Sequence, residues 1–454
     1  MKNKAAILGG SPVRSNAFPE RSVIGDDEKQ AAMKVLDGQV LSGFLAAPGK
    51  YFNGGQYLQA FESDWCRDYG FKHAVGVNSW TSGLMAIVGA LGIGPGDEVI
   101  CPPYTMSASS TCVLFYGGIP VFADIEEDSF CIDPDAIEKC ITPRTKAIMV
   151  VHLFGGTADM DRILQIAEKH DLAVIEDAAQ APGVYYKGKP VGTIGDIGGF
   201  SLNFHKHLHA GEGGVIVTDD DDLALRCQMI RNHGENYVDQ FPDIDIDNTI
   251  GGNYRMTEIL AAIGHTQLGK LPSLLSHRHE LASYLNERFA KIEGLTPPTV
   301  REGCTHAWYL YPLRYDSDKV GLSRALFVEA VNQELPKPKS IESVAVTQGY
   351  VRPLYMSRVY QEQIAIGKKG FPFNFNEGVE YNYDKGICPV TERMYESELV
   401  LTALAREPLT LEDMKDFADA VEKVIENAAD IGAELAEKYQ SVKIQSTVDI
   451  ASET

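Results

Sequence analysis

One lysine, Lys206, sits in a loop crowded with aromatics, histidines and glycines: Phe200-Ser-Leu-Asn-Phe-His-Lys-His-Leu-His-Ala-Gly-Glu-Gly-Gly214. Upstream of it a run of apolar residues ends in carboxylates, Val174-Ile-Glu-Asp177-Ala-Ala-Gln180. Further upstream, Asn78-Ser79-Trp80-Thr81-Ser82-Gly83 places small polar residues where a helix opens. Such an opening presents unpaired backbone N–H groups, which is an anion site by geometry. Alone, each feature has an ordinary explanation: a strand-end cap, a solvated lysine, a helix cap. In this order they supply an amine for a Schiff base, a carboxylate for a pyridinium nitrogen and a cup for a phosphate. Those are the parts of a pyridoxal phosphate (PLP) site.

The elements that must position them alternate. Helical patterns at Asp26–Leu36, Tyr57–Tyr69, Thr81–Leu91, Ser107–Tyr116, Asp133–Ile141 and Asp159–His170 are interleaved with short apolar strands. The strands are expected at Ala74–Asn78, Asp97–Cys101, Pro120–Asp124, Lys146–Phe154, Leu172–Asp177 and Val215–Thr218. Repeated βα units imply a mainly parallel sheet wrapped by helices, with its ligand beyond the carboxyl ends of the strands. After Gly252 the texture changes. Two helices are expected at Met256–Leu268 and Leu274–Ile292, followed by a strand-like block at Ala307–Arg314 and a helix at Ser323–Glu334. The stretch 335–390 is irregular and rich in Pro, Tyr and Gly, and one last helix is expected from Leu411 to Tyr439. The expected organisation is an N-terminal arm (1–50), a large cofactor-binding domain (51–270), a smaller α+β domain (271–439) and a polar tail (440–454).

Composition excludes several classes. With 63 acidic against 41 basic residues in 454, the net charge is −22, so neither a nucleic acid backbone nor an anionic membrane surface is an expected partner. The first ten residues hold only a short apolar stretch, too short for a signal peptide. Eight scattered cysteines without a Cys-x-x-Cys pair read as reduced thiols of a cytoplasmic protein without a structural metal.

The segments Leu91-Gly-Ile-Gly-Pro-Gly-Asp-Glu-Val-Ile100, Ile141-Thr-Pro-Arg-Thr-Lys-Ala-Ile148, Val151-His-Leu-Phe-Gly155, Glu176-Asp-Ala-Ala-Gln180 and Lys206-x4-Gly-Glu-Gly-Gly214 resemble the DegT/StrS family of PLP-dependent aminotransferases, which act on keto-sugars and keto-cyclitols. Gly252-Asn-Tyr-Arg-Met256 and Gln267-Leu268 extend the match. Leu8-Gly-Gly-Ser-Pro-Val13 and Cys388-Pro-Val-Thr-Glu-Arg393 are similar to the branch holding glutamine:scyllo-inosose aminotransferases and aminohydroxybenzoate synthases. The resemblance implies fold type I, a homodimer with shared active sites, and L-glutamate or L-glutamine as donor. It makes Lys206 the Schiff-base lysine and proton shuttle, Asp177 the partner of the pyridine nitrogen and Gln180 a contact to the ring oxygen. Ser201 and the Ser79–Thr81 cup would bind the phosphate, and Asn253 would reach the phosphate of the neighbouring subunit.

Three departures stand out. The family's Ser-Gly-Thr cup reads Ser79-Trp80-Thr81, and glycine allows an approach that tryptophan does not. The residue stacked on the cofactor ring, commonly aromatic, is Met106 here. The 335–390 stretch is long, and is where substrate choice would sit. On an extended loop the spacing of His205, His207 and His209 would turn all three to one face, opposite Lys206, as a metal site would need. They are read instead as packing around the cofactor loop, with His207 and His209, and separately His306, as candidates for substrate contact. For a nucleotide-linked sugar the candidate basic patch is Arg255, His277, Arg278 and Arg352. The competing readings are a deoxysugar dehydratase, which the presence of Lys206 disfavours, an aminohydroxybenzoate synthase and a non-catalytic regulator.

Overall fold

The computed structural model describes residues 3–338 and 344–439; the expected tail at 440–454 lies outside them. The main sheet holds β1 (His73–Val77), β2 (Glu98–Cys101), β3 (Ile119–Phe122), β4 (Thr145–Val151), β5 (Ala173–Asp177), β8 (Ile197–Ser201) and β9 (Gly214–Thr218). A small hairpin, β6 (Tyr185–Tyr186) with β7 (Lys189–Pro190), intervenes between β5 and β8. The spatial order is β1-β9-β8-β5-β4-β2-β3. From β8 to β3 every pair is parallel, and β9 alone runs against its neighbours β8 and β1. The expected mostly parallel α/β sheet is therefore the observed one. Its central strands are apolar throughout because helices cover both faces; Ala147 to Val151 of β4 are all buried.

Register explains why distant residues meet. Val151, Asp177 and Gly199 lie side by side across β4, β5 and β8. Gly214, opening β9, pairs with Ser201 at the end of β8 and with Val77 at the end of β1. The carboxyl ends of β1, β5 and β8 thus share one edge, where an open α/β sheet places its ligand.

The second unit is a four-stranded antiparallel sheet, in the order β10 (Leu295–Thr296), β11 (Tyr311–Tyr315), β13 (Leu399–Thr402) and β12 (Thr347–Gln348). Helices Arg324–Glu334 and Leu411–Glu426 pack on it around their own core. One helix, Glu258–Phe289, joins the two cores. The two helices expected on either side of residues 269–273 are one, and Pro272 lies inside it. Leu268 and Leu271 anchor the helix in the first core, and Leu281, Leu285 and Phe289 in the second; this burial outweighs the hydrogen bond that the proline removes, and the Ser273 hydroxyl donates to Lys270 O at 2.7 Å beside it. Conversely, the expected single C-terminal helix is two, divided at Asn427, whose side-chain amide donates to Lys423 O and to Asn3 O of the N-terminal arm.

The irregular stretch before β13 returns to the first unit. Tyr350, Leu354, Tyr355, Tyr360, Phe373 and Tyr383 are buried in the large core. The Tyr383 hydroxyl donates to Pro120 O at 2.8 Å and Tyr360 to Ser110 Oγ at 2.7 Å. This segment therefore forms a wall beside the carboxyl edge of the sheet.

Candidate active site

The loop after β8 is a tight turn. The Lys206 amide donates to Asn203 O at 2.8 Å, while Leu202 and Phe204 pair back to Gly213 and Gly211. Gly211 and Gly213 have φ of +89° and +141°, a region that a side chain would strain, so these two glycines are what lets the turn close. Half-buried Lys206 points its Nζ at the face of Tyr309, 4.3 Å from the ring centroid. Tyr309 arrives on a segment pinned by backbone bonds from Ala307 to Gly155 O (2.8 Å) and from Tyr309 to Phe154 O (2.9 Å). Phe154 and Trp308 there hold φ of +56° and +53°, uncommon for residues with side chains.

Asp177 ends β5 fully in the interior. Its Oδ1 accepts from the Trp80 indole N–H at 2.7 Å and from the Ala179 amide at 3.2 Å, and its Oδ2 from the Ser109 hydroxyl at 2.7 Å. A carboxylate offers about four acceptor positions, so one more donor, such as a pyridinium N–H, can be taken. Trp80, which the sequence marked as a departure in the cup, thus turns its ring inward as a ligand of the carboxylate. Two glycines make room for the ring, since a Cβ on Gly83 or Gly199 would come within 2.8 and 2.5 Å of it, and Gly214 makes room for the backbone of Trp80, at 2.9 Å from its Cα. Gln180 accepts from the Phe154 amide at 2.7 Å and donates to the Tyr350 hydroxyl at 3.2 Å; one of its two N–H groups stays available to a ring oxygen. Neighbouring Glu176 is committed to the scaffold, accepting from His152 and from the amides of Gly192, Ile194 and Gly195.

At the other end of this edge, helix Trp80–Ala90 starts with Ser79 as N-cap, its hydroxyl accepting from the Ser82 amide at 3.1 Å. The amides of Trp80 and Thr81 precede the helical ladder and would be free to donate to a phosphate. Ser201 Oγ accepts weakly from the Asn203 amide at 3.3 Å, which leaves its O–H to donate. Thr81, Asn253 and Met106 are exposed at the rim, and Asn78 Nδ2 holds Asn253 through its carbonyl at 3.2 Å. The donors, the spare acceptor position and the amine are those that PLP requires. When bound, it would be held by Lys206, Asp177, Gln180, Ser201 and the Ser79–Thr81 cup.

Of the other candidates, His207 stays beside the lysine, its ring 5.9 Å from that of Tyr309, and Arg255 pairs with Val77 at the end of β1. The extended run that would align three histidines is absent: the segment turns, His205 stacks on Phe204, and His207 is buried with Nε2 donating to Ala307 O at 2.7 Å. His209 is half-buried beside Gln267. His306 is buried, stacked on Trp308, with Nδ1 accepting that residue's amide at 2.9 Å. Arg278, expected in a surface basic patch, is buried in a fork on Glu407, and His277 bonds to Leu409 O. Arg255 donates to Asn232 at 2.7 Å, and Arg352 is exposed. Tyr309, Tyr350, Ser109 and the arm residue Arg21 are the site-forming residues that sequence reading missed.

The buried histidines make acid sensitivity a prediction. Burial holds His306 down at about 3 and His209 at about 4, and pushes His207 well below the ordinary 6.5. Below pH 6.5 the unfolded chain then binds more protons than the folded one. Stability is therefore full above that pH and lost as pH falls toward 4 and then 3. At pH 5, His306 alone is expected to cost about 2 kcal/mol. Melting temperatures across pH 5–8 check this, and His306→Asn, which preserves an acceptor for the Trp308 amide, should flatten the profile.

The model of the DegT/DnrJ/EryC1/StrS aminotransferase family matches residues 43–374. The spore coat polysaccharide biosynthesis protein SpsC of Bacillus subtilis is 36% identical over 360 residues, 78% of this chain and 88% of that one. An L-glutamine:2-deoxy-scyllo-inosose aminotransferase of Streptoalloteichus tenebrarius is 32% identical over 438 residues, 94% and 99% of the two chains. Among solved structures, an aminotransferase from Psychrobacter cryohalolentis superposes with a TM-score of 0.77 at 29% identity, covering 91% of this chain and all of that one.

Proposed function

The chain belongs to the DegT/DnrJ/EryC1/StrS aminotransferase family and has the fold type I architecture of PLP-dependent aminotransferases, and on that premise we propose that it transfers an amino group from L-glutamate or L-glutamine to the ketone of a sugar or cyclitol. The observation that carries this reading is the convergence of Lys206, Asp177 and the Ser79–Thr81 helix start on one sheet edge. PLP bound there supplies an electron sink for the carbanion left when the donor's Cα–H bond breaks. Lys206 Nζ is the base that takes that proton and the acid that returns one to the product. The face of Tyr309 supports the ammonium form between these steps. Asp177, fixed by Trp80 and Ser109, holds negative charge where the pyridine nitrogen would lie. The amino donor and the ketone would use the same pocket in turn.

A homodimer belongs to the same proposal, with Asn253 serving the partner's phosphate. Exposed Asn253 and the exposed apolar residues Met33, Leu36, Val40, Leu41 and Leu45 support it. A cytoplasmic setting is also proposed, supported by eight cysteines that are all free thiols. No described helix is long and apolar enough to cross a membrane.

The test is a half-reaction. Protein loaded with PLP is mixed with L-glutamate or L-glutamine, and the visible spectrum and the released keto acid are followed without any ketone present. At least one donor should convert the cofactor to its amine form with one equivalent of keto acid. Conversion by neither would refute the proposal.

A further inference from the structure

Lys206 is held by more than its own loop. The turn at 203–207 leaves the carbonyls of Phe204, Lys206 and His207 facing Arg21 of the N-terminal arm. Its Nη1 donates to Phe204 O at 2.7 Å, and its Nη2 donates to Lys206 O and, at 3.4 Å, to His207 O. Arg21 Nε lies 3.4 Å from Glu407 Oε1. Glu407 in turn receives Arg278 in a fork, Nε at 3.0 Å and Nη2 at 2.9 Å. The remaining donor of Arg278, Nη1, reaches Trp308 O at 3.1 Å and Tyr309 O at 3.5 Å. Tyr309 is the ring under the Lys206 ammonium.

We propose that Arg21, Glu407 and Arg278 form one clamp that positions Lys206, Arg21 setting its backbone and Arg278 the aromatic face against which its Nζ rests. The assignment of Lys206 as the cofactor lysine underlies this reading. Side-chain exposures are 15% for Arg21, 10% for Glu407 and 1% for Arg278. Two cations around one anion in such a place are tolerable only when their other donors are satisfied, and here backbone carbonyls satisfy them. Burial alone would raise the Glu407 carboxyl, but the two guanidinium groups overcome it and keep the group ionised. Only the planar fork of arginine reaches a carboxylate and several carbonyls at once; a lysine ammonium does not. The clamp makes placement of the lysine depend on the docking of the arm, which is itself tied to the second unit by Glu334 through the Ala6 and Val13 amides (2.7 and 3.0 Å).

Arg21→Lys and Arg21→Met are compared with the unmodified protein by two readouts. In the cofactor-free chain, amide hydrogen exchange over residues 203–209 should accelerate about tenfold or more in both, with the sheet strands unchanged. In the PLP-loaded enzyme kcat should fall about tenfold while KM for the amino donor stays within about twofold, the signature of a displaced catalytic amine and not of weaker substrate binding. Should Arg21→Met fail to fold, Arg21→Lys carries both readouts. Unchanged exchange at 203–209, or unchanged kcat with only a lowered melting temperature, overturns the clamp. Accelerated exchange in a protein whose unmodified form shows no visible cofactor band would refute the cofactor assignment and leave the loop restraint standing.

Discussion

Lys206→Ala is expected to give a folded chain that binds PLP without the visible band of the lysine-bound cofactor and has no measurable turnover. Two losses coincide. The covalent attachment disappears, and so does the proton carrier, whose contribution alone is typically about 10²–10⁴-fold. The fold should survive because little rests on the side chain. Lys206 is half-buried, its Nζ engages the Tyr309 face, and such a contact is worth about 0.5–1 kcal/mol. The loop carbonyls remain held by Arg21, which contacts the backbone and not the lysine amine. Absorption spectra with added PLP, paired with melting curves, check both halves. A retained band would show that another amine carries the cofactor, and a collapse in melting temperature would show that the side chain is structural.

The parts of the site that were legible in the sequence are those whose cause is local. Asp177 could be found because it ends an apolar run, and a run of that kind buried on both faces must expose its end at the sheet edge. The Ser79 start could be found because N-caps have a short signature, and the Gly211–Gly213 turn because φ above zero selects glycine. The missed residues act across the chain. Ser109 reaches Asp177 over 68 positions, Arg278 reaches Glu407 over 129 and Arg21 reaches Lys206 over 185. No periodicity encodes such pairs. Arg278 was placed in a basic patch with His277, yet a helix turns neighbouring residues to different faces, and its face is the buried one. The gap expected between Leu268 and Leu274 follows local sequence, whereas the two cores that hold the helix together across it do not.

Trp80 shows the same limit from the other side. Against the glycine expected there it reads as a defect in the phosphate cup. Its accommodation is visible only when Gly83 and Gly199, from two different elements, are brought against one indole and Gly214 against its backbone. The backbone of the cup is then kept while the side chain becomes a donor to Asp177. This also bears on the net charge of −22. An acidic protein that is to hold a phosphorylated cofactor would depend on directed groups: first-turn amides and hydroxyls for the phosphate at one end, and at the other a carboxylate fixed in place by indole, hydroxyl and amide donors.

Asp177→Asn isolates the charge in this arrangement. The amide can occupy the same space with its oxygen toward the Trp80 indole and the Ala179 amide, both of which can only donate. Its NH₂ then faces Ser109, whose hydroxyl can rotate from donor to acceptor and so keep the contact between the two side chains. Stability should therefore change little, and PLP should still be held by its phosphate. The negative charge opposite the pyridine nitrogen is gone, however, and with it the electrostatic support for the electron sink, so kcat is expected to fall about a hundredfold or more. Asp177→Ala separates the two effects. It would leave the Trp80 indole N–H and the Ser109 hydroxyl buried without their acceptor, at about 1–3 kcal/mol each, and should lower the melting temperature as well as the rate. If Asp177→Asn kept near-normal kcat, the carboxylate would be a structural acceptor for Trp80 and Ser109, and the polarity assigned to this end of the site would be wrong.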